Sequence, residues 1–390
     1  MKTRTKALLL IFSLLTIGTI NAQSPVLKPA YLNCRVDDST RDKIFTSLDT
    51  LFNQVKNRKL DPALIHNENR ALSISTIISF AGIEENKEDG ISDYYKKQLI
   101  NLYPISANEY WISLAFIGHK NSEAPVLKTI INVIATDVNN NIVFSIPTKY
   151  LTKTWKSKVV GNVTYFYRDN INIKRATSFN TKNTETANKL GLKPEKLDFY
   201  MCNNYQEVMQ ILGYEYDADA NGRTRDGYGV VSNTIFSIMN NEDFSHDIFH
   251  FYSAKIRGDI RRNSTTEEGI AYSWGNAYYT NVDGEMIEQK ELIRHLKTYL
   301  KENPKASLLE LFNNSPKIFN HLAPEISVKS TVSSLLCDEV NKKKGIEGIK
   351  RLIKCGRGDD NFFKTVDNLI AINQTNFDTE VMKLVEQYKK

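Results

Sequence analysis

The chain has 390 residues, 41% of them hydrophobic and 25% charged, with 18 Gly, 10 Pro and 4 Cys. These proportions exclude a wholly disordered chain, a collagen-like repeat and a small domain built on disulfides. The formal charge of +6 is scattered rather than gathered into a track, so it does not point to nucleic acid.

Residues 1–22 read as a secretory signal peptide. Lys2, Arg4 and Lys6 form a basic start, Ala7 to Ile20 is apolar, and Ile20-Asn21-Ala22 is an acceptable cleavage site. Removing those three cations takes the charge from +6 to +3. No later stretch reaches the roughly 18 apolar residues of a spanning helix, so the expected product is secreted or periplasmic with no membrane span. Such a location permits disulfides. The mature cysteines are Cys34, Cys202, Cys337 and Cys355. An antiparallel helical hairpin turning near Gly345 would bring Cys337 and Cys355 together, either as a bridge or as two buried thiols.

Residues 23–167 read as an α+β domain. Ile44, Leu48, Leu51, Phe52 and Val55 give Thr40–Asn57 a helical period, and Tyr94, Leu99 and Leu102 suggest a short helix over Asp93–Tyr103. Four β-rich runs follow: Glu109–Gly118, Val126–Asp137, Ile142–Ile146 and Val159–Tyr167, with Asn139-Asn140-Asn141 as a turn. Helix first and curved antiparallel sheet after is a cystatin-like layout, an analogy of fold that carries no function. His66 and His119 stand alone in this part.

Residues 168–390 differ in texture. A short helix is expected over Thr184–Leu190, a strand over Leu197–Met201, a helix over Tyr205–Leu212, a polar loop from Tyr214 to Gly227, an alternating strand over Gly229–Ile238, and helices to the end. Asp217, Asp219 and Asn221 are spaced like the opening of a Ca2+ loop. Tyr228 stands where such a loop supplies its bidentate Glu, so the segment reads as a polar turn. The basic stretches Lys342–Lys344 and Arg257–Arg262 read as solvated helix ends.

The chemistry concentrates in Ser245-His246-Asp247-Ile248-Phe249-His250. Spacing of i, i+4 puts both imidazoles on one helix face, where two ring nitrogens can hold one Zn2+. Glu268, 18 residues after His250, is a candidate third ligand, with Glu267 as the alternative. The same pattern on a helix would also suit a partly buried, hydrogen-bonded His pair without metal. The paired histidines, followed by Glu268-Gly269-Ile270-Ala271, resemble the gluzincin metallopeptidases of the peptidase-MA-like group, over roughly residues 168–390. The resemblance implies a zincin-like domain with a small mixed sheet and a mostly helical remainder. It implies Zn2+ held by His246, His250 and Glu268, and peptide or protein substrates. The Gly229–Ile238 edge would pair with an extended substrate, making Gly229 and Val230 substrate contacts.

The sequence departs from that family at one position. Asp247 stands where the family has Glu, the general base for the attacking water. Asp is one methylene shorter, and a carboxylate set back by about 1 Å can cost on the order of 10²-fold in rate. Two functions are therefore carried forward: an exported zinc metallopeptidase in which Asp247 is an altered base, and a catalytically impaired relative that serves binding or assembly at the cell surface. Tyr272, Tyr278 and Tyr279 follow Glu268 closely but read as core or interface.

Overall fold

The computed structural model describes residues 25–30, 32–119, 124–220, 222, 230–238, 241–277 and 286–388. The signal-peptide segment, Gly229, Asn221, Tyr278 and Tyr279 lie outside the described residues. The fold is α+β, with two separate five-stranded sheets. Contacts divide the chain into two compact units: residues up to Leu151 together with Met209–Gly222, and Thr152–Val208 together with Arg223 onward.

The first unit opens with α1 (Asp38–Lys56), capped by Asp37, whose carboxylate accepts from the Thr40 amide at 2.9 Å. It buries Ile44, Leu48, Leu51, Phe52 and Val55, the predicted face. Helix α2 (Arg70–Ser79) follows, then β1 (Lys96–Pro104), β2 (Glu109–Gly118), β3 (Val126–Val138), β4 (Asn141–Ser145) and the single turn α3 (Thr148–Leu151). The four strands form an antiparallel meander in the order β1-β2-β3-β4. Asn139 and Asn140, both left-handed at φ +53° and +66°, make the β3–β4 turn.

The helix expected over Asp93–Tyr103 is in fact strand β1. A bulge between Leu99 and Asn101 shifts the register against β2, so Leu99 and Leu102 both face the core. Three-residue spacing of apolar side chains thus imitated a helical period.

In the second unit, β5 (Lys156–Val160) and β6 (Val163–Tyr167) form a hairpin, and β6 runs parallel to β7 (Leu197–Met201). Between them α4 (Ile173–Lys189) is longer than the expected Thr184–Leu190. Its buried face includes Asn183 and Thr186, and such side chains hide a helical period from a hydrophobicity count. After α5 (Tyr205–Ile211), strand β8 (Tyr214–Asp217) belongs to the first unit, pairing with β3 at Thr129–Ile131, where a polar loop was expected. There Asp217 accepts the Asp219 amide and Asp219 pairs with Lys128, so the calcium-like segment forms a turn held by its own contacts.

The expected strand Gly229–Ile238 is instead a hairpin of β9 (Val230–Val231) and β10 (Thr234–Ser237). It turns at Ser232, which is left-handed at φ +57°. Strand β10 is parallel to β7, and β9 forms the edge of the sheet.

Helices complete the unit: α6 (Ser245–Arg257), α7 (Ser264–Trp274), α8 (Gln289–Glu302), α9 (Leu308–Asn314), α10 (Val328–Ile353), α11 (Asp359–Ile370) and α12 (Phe377–Gln387). Together with the inner face of the sheet they enclose a continuous core that includes Phe199, Ile248, Phe249, Ile270, Leu336, Phe362 and Phe377. Helix α10 breaks at Gly345, with φ +61° and ψ −159°. The chain reverses there, because a Cβ on Gly348 would meet Val340 at 2.9 Å, a contact impossible along one straight helix. This is the hairpin expected from the sequence. Cys337 and Cys355 both come against Thr266, at 3.9 and 3.6 Å, but as free thiols rather than a bridge. No described helix is long and apolar enough to cross a membrane.

Candidate metal centre

Two crossing helices build the site. His246 lies in the first turn of α6 and His250 one turn later, so their rings share a face with Nε2 atoms 3.2 Å apart. Helix α7 supplies Glu268, whose Oε2 is 3.1 Å from His246 Nε2 and whose Oε1 is 3.4 Å from His250 Nε2. Three donor atoms bound tetrahedrally to one zinc at 2.0–2.1 Å would be separated by about 3.3 Å. The separation of the two Nε2 atoms and the distance of each to its nearer Glu268 oxygen, Oε2 for His246 and Oε1 for His250, are of that size.

Outer contacts orient both rings. His246 Nδ1–H donates to the Asn276 carbonyl at 3.0 Å, and His250 Nδ1–H donates to Glu267 Oε2 at 3.2 Å. Each bond turns Nε2 toward the centre, where in the metal-free chain it lies against the Glu268 carboxylate. Glu267, the alternative third ligand, therefore holds the back of His250 and is fully buried, while Glu268 faces the centre. Asp247 is itself a potential ligand: one ligand atom each of His246, Asp247 and His250 lie within 4.8 Å of one another.

Two glycines explain how the helices approach closely enough. A Cβ on Gly269 would stand 2.8 Å from Ser333 Cβ and 2.9 Å from the Ser333 backbone, so only glycine lets α7 rest on α10 there. Gly275, at the end of α7, would meet the Ser245 carbonyl at 2.5 Å. Its missing side chain lets the chain pass against the start of α6 and deliver the Asn276 carbonyl to His246. The Gly of the Glu-Gly-x-Ala segment is thus a packing requirement that fixes where Glu268 points.

Two arginines, expected as part of a solvated helix end, instead grip the carboxylates. Arg257 pairs with Glu267, and Arg262 spans both acids, its Nε 3.2 Å from Glu267 and its Nη2 against Glu268 Oε1. Arg262 Nη2 also lies 3.4 and 3.3 Å from the two nitrogens of His250. No periodic signal connects these residues in sequence, which is why they were missed.

The charges shift accordingly. Burial works against a charged His250, but hydrogen bonds to Glu267 and Glu268 outweigh it and carry the pKa up to about 9. Burial would raise Glu268, yet bonding to His246 and His250 holds its carboxyl well below the usual range, and Glu267 is lowered through His250 in the same way. Burial pushes Asp247 up, partly offset by the neighbouring imidazoles. The donor set of two neutral-capable imidazoles and a carboxylate, each oriented from behind, fits a borderline ion such as Zn2+.

The remaining sequence candidates fall elsewhere or play other parts. Val230 is in edge strand β9, which lies against α6. Tyr272 is buried, its ring 5.7 Å from His246 and its hydroxyl accepting the Ser327 amide, so it supports the site from behind. His295 and His321 form a pair with ring nitrogens 3.2 Å apart; their separation of 26 residues gives no local signal.

Neither a protein-family model nor a curated protein sequence matches this chain. Among solved structures, a mutant M1 zinc metallopeptidase from Deinococcus radiodurans superposes with a TM-score of 0.31 and 9% identity, over 77% of this chain and 68% of that one.

Proposed function

We propose that this chain is an exported mononuclear zinc protein of metallopeptidase type that acts on extended peptide. His246, His250 and Glu268 would hold the ion, and Asp247 would serve as the proton-accepting group. The observation that carries this reading is the approach of both Nε2 atoms, 3.2 Å apart, to the Glu268 carboxylate, at 3.1 Å to Oε2 and 3.4 Å to Oε1, with each ring held from behind. A bound zinc would supply Lewis-acid polarisation of the scissile carbonyl. The chain's own residues do the rest. Asp247 would take a proton from the attacking water, and burial raises its pKa above the ordinary carboxylate value. Among the described residues β9 ends its sheet and lies beside α6, and its backbone would pair with an extended substrate, with Val230 and, from the sequence alone, Gly229 as contacts. Export follows from the basic and apolar start of residues 1–22.

The test is metal content and cleavage together. The mature chain is purified, its zinc measured, and an unfolded protein such as reduced casein offered as substrate. One zinc per chain with chelator-sensitive cleavage supports the reading. A wild type that holds zinc without cleaving, together with an Asp247→Glu variant that cleaves, would support the second reading, a binding protein with a disabled site. The shorter acid at 247 and the Arg262 guanidinium crowded against Glu268 favour that alternative. No zinc uptake by the folded chain rejects both readings that involve metal and leaves a binding protein without it.

A further inference from the structure

The first unit contains a groove of about 980 Å³ that the metal centre does not involve. One wall is the face of α1 carrying Ser39, Asp42, Lys43, Thr46 and Ser47; the other is β4 with the turn before it. Strand β4 ends its sheet. On its outer side a single bridge is made, Ile65 to Phe144, with the His66 amide donating to the Phe144 carbonyl at 2.9 Å. The chain before Ile65 coils into a 3-10 turn at Pro62–Leu64, which stays against β4 without extending the ladder. Strand alternation points the peptide N–H and C=O of Ile142 to the same side as the Phe144 carbonyl, and no bond from residues 62–67 reaches them. The Ile142 peptide groups are therefore an unpaired point of the sheet edge at the groove.

The groove also carries two cations that form no ion pair among the described residues. Arg70 lines it and has no ion-pair or hydrogen-bond partner among the described residues, and its Nε is sealed from solvent unbonded. A buried guanidinium donor left unmade is costly, and in a native fold it calls for a partner. Among the described residues Lys43 makes no ion pair; it hydrogen-bonds the Asn140 amide oxygen at 3.4 Å and interacts at longer range with Asp37. The one acid of the lining, Asp42, lies against its neighbour Arg41 at 3.6 Å.

We propose that this groove binds an extended acidic peptide segment. The segment adds to the outer edge of β4 beyond the Ile65 bridge, and Arg70 and Lys43 take its carboxylates. Main-chain pairing supplies affinity and the cations supply selectivity.

The probe is a fluorescein-labelled heptapeptide of alternating Glu and Val, followed by anisotropy against the full mature chain. Its partners are the same peptide with Lys for Glu and a version N-methylated at alternate residues. The acidic peptide should bind, the lysine peptide should not, and N-methylation should abolish binding. Arg70→Gln should weaken it at least tenfold and Lys43→Gln several-fold, the second serving if the first misfolds. His246→Ala should bind as wild type does, which keeps this result separate from the metal reading. No binding, equal binding of the N-methylated peptide, or indifference to both cation variants would overturn the proposal. So would displacement by free glutarate with no effect of N-methylation, which would assign the groove to a small dicarboxylate.

Discussion

Replacing Gly269 by Ala tests the link between packing and site. In an exposed helix interior, Gly→Ala stabilises by about 1 kcal/mol. At position 269 the new methyl would meet Ser333 Cβ at 2.8 Å, the Ser333 carbonyl carbon at 2.9 Å and its oxygen at 3.0 Å. Two of these are backbone atoms of α10 and cannot swing away, so α7 must move. Overpacking of this kind costs about 1–3 kcal/mol, which exceeds the gain in helix propensity. The net expectation is a loss of about 1–2 kcal/mol in the second unit. The displacement also falls on Glu268, one residue away, so zinc affinity should drop about tenfold or more. Hydrogen exchange of the α7 amides in metal-free protein measures the first effect, and competition with a zinc-sensitive dye the second. If Gly269→Ala protects α7 more strongly and leaves zinc affinity unchanged, the close approach of α7 to α10 is not what sets Glu268.

Three further outcomes are expected. The metal-free chain should lose stability as pH rises through about 9. The His250 pKa lies above its unfolded value of about 6.5, so its contribution is complete below pH ~6.5 and disappears as the ring deprotonates in the folded state. The loss is about 3 kcal/mol at most, and urea midpoints measured across this range should flatten in His250→Gln; an unchanged slope would contradict the ion-pair assignment. Asp247→Asn should keep zinc stoichiometry and abolish cleavage, by calorimetry and casein assay; loss of zinc instead would make Asp247 a ligand. Thiol titration of the denatured chain without reductant should count four free cysteines, whereas two would mean that the Cys337 and Cys355 thiols beside Thr266 become a bridge.

The sequence was most legible where one period controlled the packing. The buried stripe of α1, the run of β2 to β4 and the shared face of His246 and His250 follow from helical or alternating spacing. Spacing misled where local geometry broke the period. The bulge in β1 aligned Leu99 with Leu102, and the buried Asn183 and Thr186 shortened the apparent α4. The outer contacts of the site left almost no trace. Arg257, Arg262 and the Asn276 carbonyl reach it because two helices cross, and a crossing has no signature along the chain. One cue was present, the Gly next to Glu268, but its reason lies in Ser333, 64 residues on.

The most direct measurement is X-ray diffraction from zinc-soaked crystals on both sides of the zinc absorption edge. The account predicts one strong anomalous peak about 2 Å from His246 Nε2, His250 Nε2 and a Glu268 oxygen. A well-ordered site with no peak, its imidazoles bonded only to the Arg262 guanidinium and the Glu268 carboxylate, would contradict it.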